Sequence, residues 1–477
     1  MKELKKSKKI GFIILLGTFA SCKMLAPVHY IETPQIPLAY MDSKDTINSG
    51  AIKWKAFFPD KNLQSLIDTA LTKNIDLQMT LQDIAIASNN VRAKKGLLFP
   101  SVTGGIAVGT EKVGRYTSQG AGDASAEITS GQIVPEHLND FSIGIHASWE
   151  VDIWKKLRNS KKAAVSRYLS TIEGKNFVVT NLIAEISNSY YELLSLDNQL
   201  DVIKETIQLQ KNALGIVKVQ KEAARVSELA VKKYEAEVLN SESLEFDIQQ
   251  QIKETENKIN FLLGRYPQVI VRDKTIFESQ VPQQIKSGIP SQLLANRPDI
   301  KQAELELFAS KCDVKVAQAE FYPSFNISGG LGFQAFKPSF LFTAPESIAY
   351  SLLGELTAPL INRNGIKAEF NKAKAYQIQA MYNYQKTILN GYIEVSNELS
   401  NIKNLEQLYN LKNKEVQALN SSIAISNDLF RSSKVDYFEV LMTQRDALSS
   451  KLELIEAKER QFKSVINVYR ALGGEWN

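Results

Sequence analysis

Phe141-Ser142-Ile143-Gly144-Ile145-His146-Ala147-Ser148-Trp149-Glu150-Val151-Asp152-Ile153 alternates apolar and polar side chains over thirteen positions. A strand turns successive side chains to opposite faces, so this run predicts a ribbon with one greasy face and one wet face. Phe325, Ile327, Gly329, Leu331 and Phe333 repeat the pattern against Ser324, Asn326, Ser328, Gly330 and Gly332. Ile348, Tyr350, Leu352, Gly354, Leu356, Ala358 and Leu360 form a third ribbon, and Val102, Gly104, Ile106 and Val108 a weaker fourth. Period two suits a half-buried sheet in a soluble domain as well as a ribbon between lipid and water. The surroundings of the ribbons decide between these readings.

Those surroundings are helical. No proline stands between Pro135 and Pro267 or after Pro359, and glycine is sparse in 155–264 and 366–472. Leu182, Ile186, Tyr190, Leu193 and Leu194 recur at three- and four-residue spacing. At 1.5 Å per residue, 158–223 and 364–432 predict helices of about 100 Å, 227–264 about 56 Å, and 63–95 one unbroken helix of about 48 Å. A 100 Å helix with an apolar stripe cannot be buried in a 53.4 kDa globule, so it must lie along similar helices in a bundle or barrel wall.

The chain also reads as a duplication. Asn74-Ile75-Asp76-Leu77 and Pro100-Ser101 recur 223 positions on as Arg297-Pro298-Asp299-Ile300 and Pro323-Ser324. Leu262-Leu263-Gly264 and Ala224-Arg225-Val226 recur 209 positions on as Ala471-Leu472-Gly473 and Ser433-Lys434-Val435. The change of offset places an insertion in the first repeat, in the polar Gly- and Ser-rich loop between its two ribbons. Each repeat is therefore short helix, strand, loop, strand, long helix, turn, shorter helix.

The N-terminus is an address. Five lysines precede an apolar run over 10–19, too short to span a bilayer, which predicts a signal peptide over 1–21. Phe19-Ala20-Ser21-Cys22 resembles a lipobox, making Cys22 the expected lipid attachment site. Without 1–21 the net charge of +5 falls to +1, which argues against nucleic-acid binding by bulk charge. Two cysteines and the scattered His29, His137 and His146 supply neither a disulfide framework nor a metal centre, and no cofactor is expected. The chain carries no Gly-x-x-x-x-Gly-Lys loop, no His-Glu-x-x-His and no nucleophile-base pair, so no enzyme is expected either. Cys312, Tyr190, Tyr191 and Phe246 read as helix-packing residues.

Four strands cannot close on themselves, and an open edge in lipid leaves backbone groups unsatisfied at several kcal/mol each. If the greasy faces meet lipid, identical chains must pool their strands, and three copies would give twelve strands and twelve helices around a polar lumen. The chain here resembles the TolC-like outer membrane efflux factors, in particular their lipidated branch. The resemblance rests on Leu97-Leu98-Phe99-Pro100-Ser101, Trp149-Glu150-Val151-Asp152-Ile153-Trp154, Leu293-Leu294 to Arg297-Pro298-Asp299-Ile300, Val435-Asp436-Tyr437-Phe438-Glu439-Val440-Leu441 and Leu472-Gly473-Gly474-Glu475-Trp476. Lys155 stands where the family often has glycine, and Asn296 where it often has a first arginine.

The resemblance implies a mainly α fold with membrane β: duplicated helical hairpins forming an α-barrel, and four strands per chain in a twelve-stranded trimeric β-barrel. It implies a homotrimer in the outer membrane extending into the periplasm, met by a periplasmic adaptor protein and an inner-membrane pump. The expected divisions are 1–21 signal peptide, 22–61 lipidated tail and equatorial segment, 62–96 short helix, 97–153 strand pair, 154–264 long hairpin and 265–290 equatorial segment. The second repeat follows as 291–319 short helix, 320–361 strand pair, 362–472 long hairpin and 473–477 tail.

Asp436 and Glu439, three apart at the start of the last helix, are the candidates for the acidic aperture ring that the resemblance implies; Met442 occupies a further position commonly acidic in the family. The alternative leaves Asp436 as a charge favouring the helix dipole and Glu439 on a solvated face. Arg225, Glu228 and Arg431 are candidate ties holding that end closed. The expected function is the passive exit duct of a tripartite exporter, and the alternative is a periplasmic adaptor or scaffold lipoprotein.

Overall fold

The computed structural model describes residues 36–40, 50, 52–278, 286–361, 363–432 and 434–474. The signal segment, Cys22, His29, Ser433 and Glu475-Trp476 lie outside the described residues.

A short helix α1 (Trp54–Phe57) leads into α2 (Lys61–Lys73) and α3 (Ile75–Gly96). Strand β1 (Ser101–Glu111) follows, then α4 (Ser118–Asp123), a small hairpin of β2 (Glu127–Thr129) and β3 (Gln132–Ile133), and strand β4 (Leu138–Val151). The first long hairpin is α5 (Lys156–Glu222) and α6 (Glu228–Leu262). The second repeat has α7 (Gln292–Asn296), α8 (Pro298–Ala319), β5 (Ser324–Ala335), β6 (Ile348–Thr357), α9 (Asn364–Arg431) and α10 (Tyr437–Ala471). Predicted and observed spans agree closely, and the loop 112–137 of the first repeat exceeds its counterpart 336–347, where the offset placed the insertion.

The first short helix departs from expectation. The span 63–95 is two helices, broken at Asn74, whose ψ of 128° leaves the helical region. Asn74 accepts the N–H of Leu77 at 2.8 Å, starting α3, and donates its amide to Leu262 O at 2.9 Å, the open C-terminal end of α6. An asparagine that satisfies groups of two helices outweighs the continuous helical pattern around it.

Strands β1, β4, β5 and β6 form one antiparallel sheet in that order, so β4 and β5 join the two repeats. Trp149-Glu150-Val151-Asp152-Ile153-Trp154 makes the passage from sheet to wall. Asp152 accepts the N–H of Leu157 at 2.8 Å and of Arg158 at 2.9 Å, capping α5. Trp149 donates to Leu98 O, while Trp154 donates to Pro323 O and stacks on Tyr322 at 4.8 Å. Lys155 has φ of 63°, the left-handed conformation in which glycine is at ease.

The helices follow the sheet. Near it α3 packs on α5, α5 on α8 and α8 on α9; farther away α6, α5, α10 and α9 lie side by side. The main core sits where the short helices meet the long ones. It gathers Leu63, Ile67, Ile186, Tyr190, Leu193 and Ile259, with Tyr191 stacked on Phe462 at 4.3 Å and Phe57 on Tyr469 at 4.2 Å. Cys312 packs on Ala163 and Ala309, as expected. Phe246, expected to pack between helices, is 71% exposed in the single chain.

Candidate channel and aperture residues

Opposed residues in a sheet share a face. The register aligns Thr103, His146, Gly330 and Ser351 in one row and Glu150, Asn326 and Glu355 in another, all on the polar face. The other face carries Ile106, Ile145, Leu331, Tyr350 and Leu352, with Tyr350 and Leu352 more than four-fifths exposed. The alternation read in the sequence is thus carried across all four strands.

The polar face continues onto the helical wall. Glu150 pairs with Lys156 at 2.5 Å. Lys156 and Arg167, eleven residues or three turns apart, share one side of α5. Arg167 bonds Glu306 at 3.1 Å and Asp313 at 2.5 Å, in a groove of about 690 Å³ that Glu320, Glu369, Lys372 and Tyr376 also line. Sequence reading passed over this acidic groove, because its carboxylates come from α8 and α9 and converge only when those helices pack beside α5.

Asp436 is the N-cap of α10 rather than a member of its first turn, and its side chain caps nothing. Asp436 and Glu439 are both exposed and joined through Glu439 N–H to Asp436 O at 3.2 Å. Ser227 is the matching N-cap of α6, and the turns close alike: Arg225 N–H donates to Gln220 O, and Lys434 N–H to Leu429 O, both at 2.9 Å. Ala224 takes φ of 55° in the first turn.

Glu228 and Arg431 of the candidate ties have local partners within the chain. Glu228 pairs with Lys221 across the α5–α6 turn, and that ammonium holds the Glu228 carboxyl below its ordinary value. Arg431 approaches Asp428 of its own helix at 4.0 Å, and Arg225 is exposed. What joins the two tips is apolar: Val231 and Tyr234 of α6 pack with Leu441 of α10, and Lys233 lies 4.4 Å above the Phe438 ring. Burial pushes the Tyr234 hydroxyl up to about 12.

A second constellation lies at the far end of the short helices. Arg297, only 6% exposed in its side chain, bonds Asp299 at 2.7 Å, Glu394 at 2.8 Å and Ala471 O at 2.8 Å. A buried arginine without acids would be costly, so the neighbouring Asp299 was the available signal for this knot.

The outer membrane efflux protein family matches the chain over residues 66–265 and 289–474. The chain belongs to that family. CusC, a cation efflux system protein of Escherichia coli O6:H1, is 25% identical over 98% of this chain and 99% of its own length. OpmQ, a pyoverdine export outer membrane protein of Pseudomonas aeruginosa, is 25% identical over 99% and 98%. A solved membrane protein from Pseudomonas aeruginosa superposes with a TM-score of 0.85 at 22% identity, over 94% of this chain and all of the other. As an outer membrane efflux protein the chain is a passive channel component and not an enzyme.

Proposed function

We propose that three copies of this chain close one channel, the exit duct of a tripartite exporter, with a shared β-barrel in the outer membrane and a helical tunnel in the periplasm. The observation that carries the reading is the bare edge of every layer. All eleven residues of β1 are exposed, as is most of β6 at the opposite edge. Below the sheet, edge helix α3 exposes Met79 and Ile86, and edge helix α9 exposes Tyr382 and Leu389. Pairing β1 of one copy with β6 of the next satisfies the backbone and covers both helix edges in one contact. An adaptor or scaffold lipoprotein has no use for four strands with one lipid-like face.

Cys22 would anchor the mature chain by its acyl groups, and the exposed hairpin tips would meet a periplasmic adaptor protein serving an inner-membrane pump. The pump supplies the energy and selects the cargo; relatives on the same frame are named for cation efflux and for pyoverdine export. Asp436 and Glu439 would place six carboxylates around the periplasmic aperture. Single-channel recording tests this: Asp436→Ala/Glu439→Ala should lower cation preference and cation block several-fold, whereas unchanged conductance and selectivity would remove both residues from the pore. Recovery as a heat-sensitive trimer in outer-membrane fractions tests the assembly, and a lipid-free monomer would overturn it.

A further inference from the structure

The helical wall separates its charges by side. Ser166 and Ser170 of α5 face α8 through bonds to Leu305 O and Gln302 O. At 100° per residue Arg167 falls to one side of that contact, with Lys156 and Glu150, and Lys162 falls to the other. On α8, Glu306 and Asp313 turn toward Arg167, and Lys315, two residues beyond Asp313, lies on the opposite face. On α9, Glu369 lines the acidic groove and Lys367, two residues earlier, lies away from it. Arg92 of α3 is the repeat partner of Lys315, at the offset of 223. Near the strands, the side continuous with the wet sheet face thus carries Glu306, Asp313, Glu320 and Glu369 beside Arg167 and Lys372, and the other side carries Arg92, Lys162, Lys315 and Lys367.

Arg92, Lys162, Lys315 and Lys367 are all exposed, and none forms an ion pair among the described residues. Several lysines farther down the first hairpin are paired: Lys211 with Glu242, Lys218 with Glu235, Lys221 with Glu228 and Lys258 with Glu185. These four cations all stand within about 15 Å of the strand ends along their helices. The stacked pair Trp154 and Tyr322 marks the junction of strands and helices beside which these cations stand.

We propose that this outward basic collar binds the phosphate groups of anionic phospholipid in the periplasmic leaflet of the outer membrane, and so sets the depth of the barrel. Charge complementarity and continuity with the lipid-facing strands select that occupant. The inference rests on the barrel standing in the membrane, so insertion is scored separately.

The full-length oligomer is reconstituted in phosphatidylethanolamine vesicles containing a minority of phosphatidylglycerol and extracted with its lipid shell by an amphipathic polymer, and the retained headgroups are counted by mass spectrometry. Phosphatidylglycerol should be enriched about threefold over the vesicle composition. Enrichment should fall to the bulk ratio in R92Q/K162Q/K315Q/K367Q and persist in K162R/K315R/K367R and in the distant K211Q/K218Q/K258Q. Vesicle flotation and the heat-sensitive oligomer on gels confirm that each variant inserts and assembles. Equal enrichment in wild type and the collar variant, or none in wild type, overturns the proposal. So does equal stabilisation of lipid-free oligomer by inorganic phosphate, or a collar-dependent affinity for isolated peptidoglycan with the lipid ratio unchanged.

Discussion

At residue 74 and again at residue 297 a short helix breaks against the last carbonyls of a long hairpin, once in each repeat. Asn74 donates its amide to Leu262 O, and Arg297 its guanidinium to Ala471 O. Behind each carbonyl stands a left-handed glycine pressed onto the chain just before the break. A Cβ on Gly264, at φ of 63°, would fall on Lys73 O, and one on Gly473, at φ of 100°, on Asn296 O. The backbone approach is the same in both repeats and the donor differs. The amide needs no further partner of opposite charge, whereas the arginine carries Asp299 and Glu394 with it. What the duplicated fold requires here is a donor at a fixed place, and its charge is negotiable when acids can be supplied nearby.

The comparison breaks most severely at its shared part. Gly264→Ala or Gly473→Ala forces a side chain into a backbone carbonyl at positive φ, and each should cost about 3–5 kcal/mol and remove most folded oligomer, measured by thermal unfolding and heat-sensitive trimer yield. An unaffected Ala variant would show that the two chains do not meet as closely as described. The donors should then separate. Arg297→Met leaves two carboxylates and a carbonyl unanswered and should cost about 3–5 kcal/mol, whereas Asn74→Ala loses a cap and one bond and should cost about 2 kcal/mol, each read from denaturant midpoints. Equal losses would make the charge irrelevant.

The smallest effect concerns exposed ion pairs away from both junctions. A hydrogen bond from Lys412 holds the Glu453 carboxyl below its ordinary value. Because the folded-state pKa is depressed, this pair's contribution is present above the unfolded-state pKa and is lost as pH falls through the folded one. Glu453 is exposed and Lys412 half-buried at the surface, so solvent screens the pair and the loss is small. The difference in melting temperature between wild type and Lys412→Gln should shrink as pH is lowered from 7 toward 3, and a gap that widens in acid would reverse the sign.

Both halves of the junction were visible in the sequence as repeated blocks, Asn74-Ile75-Asp76-Leu77 with Arg297-Pro298-Asp299-Ile300 and Leu262-Leu263-Gly264 with Ala471-Leu472-Gly473. That one block of each pair packs on the other was not, because matching offsets report duplication rather than contact. The unbroken helix expected over 63–95 failed for the same reason: Asn74 stops α3 from joining α2 by reaching a carbonyl 188 residues away. Asp436 and Glu439 were candidates from the family resemblance and their place at the start of the last helix, and Asp436 stands as the N-cap of α10. The groove of Arg167, Glu306 and Asp313 escaped notice because no single segment contains it.

Periodicity, breakers and the repeat offset were enough for the sequence to specify strands, long helices and their order, since each is a local consequence of where apolar side chains recur and where the backbone can turn. Only the tertiary structure decided that β4 pairs with β5 across the two repeats, that helix ends meet at Asn74 and Arg297, and which charges near the strands share one side of the wall. Those features depend on which distant segments lie side by side, and a register between strands or a face shared by three helices exists only once they are packed.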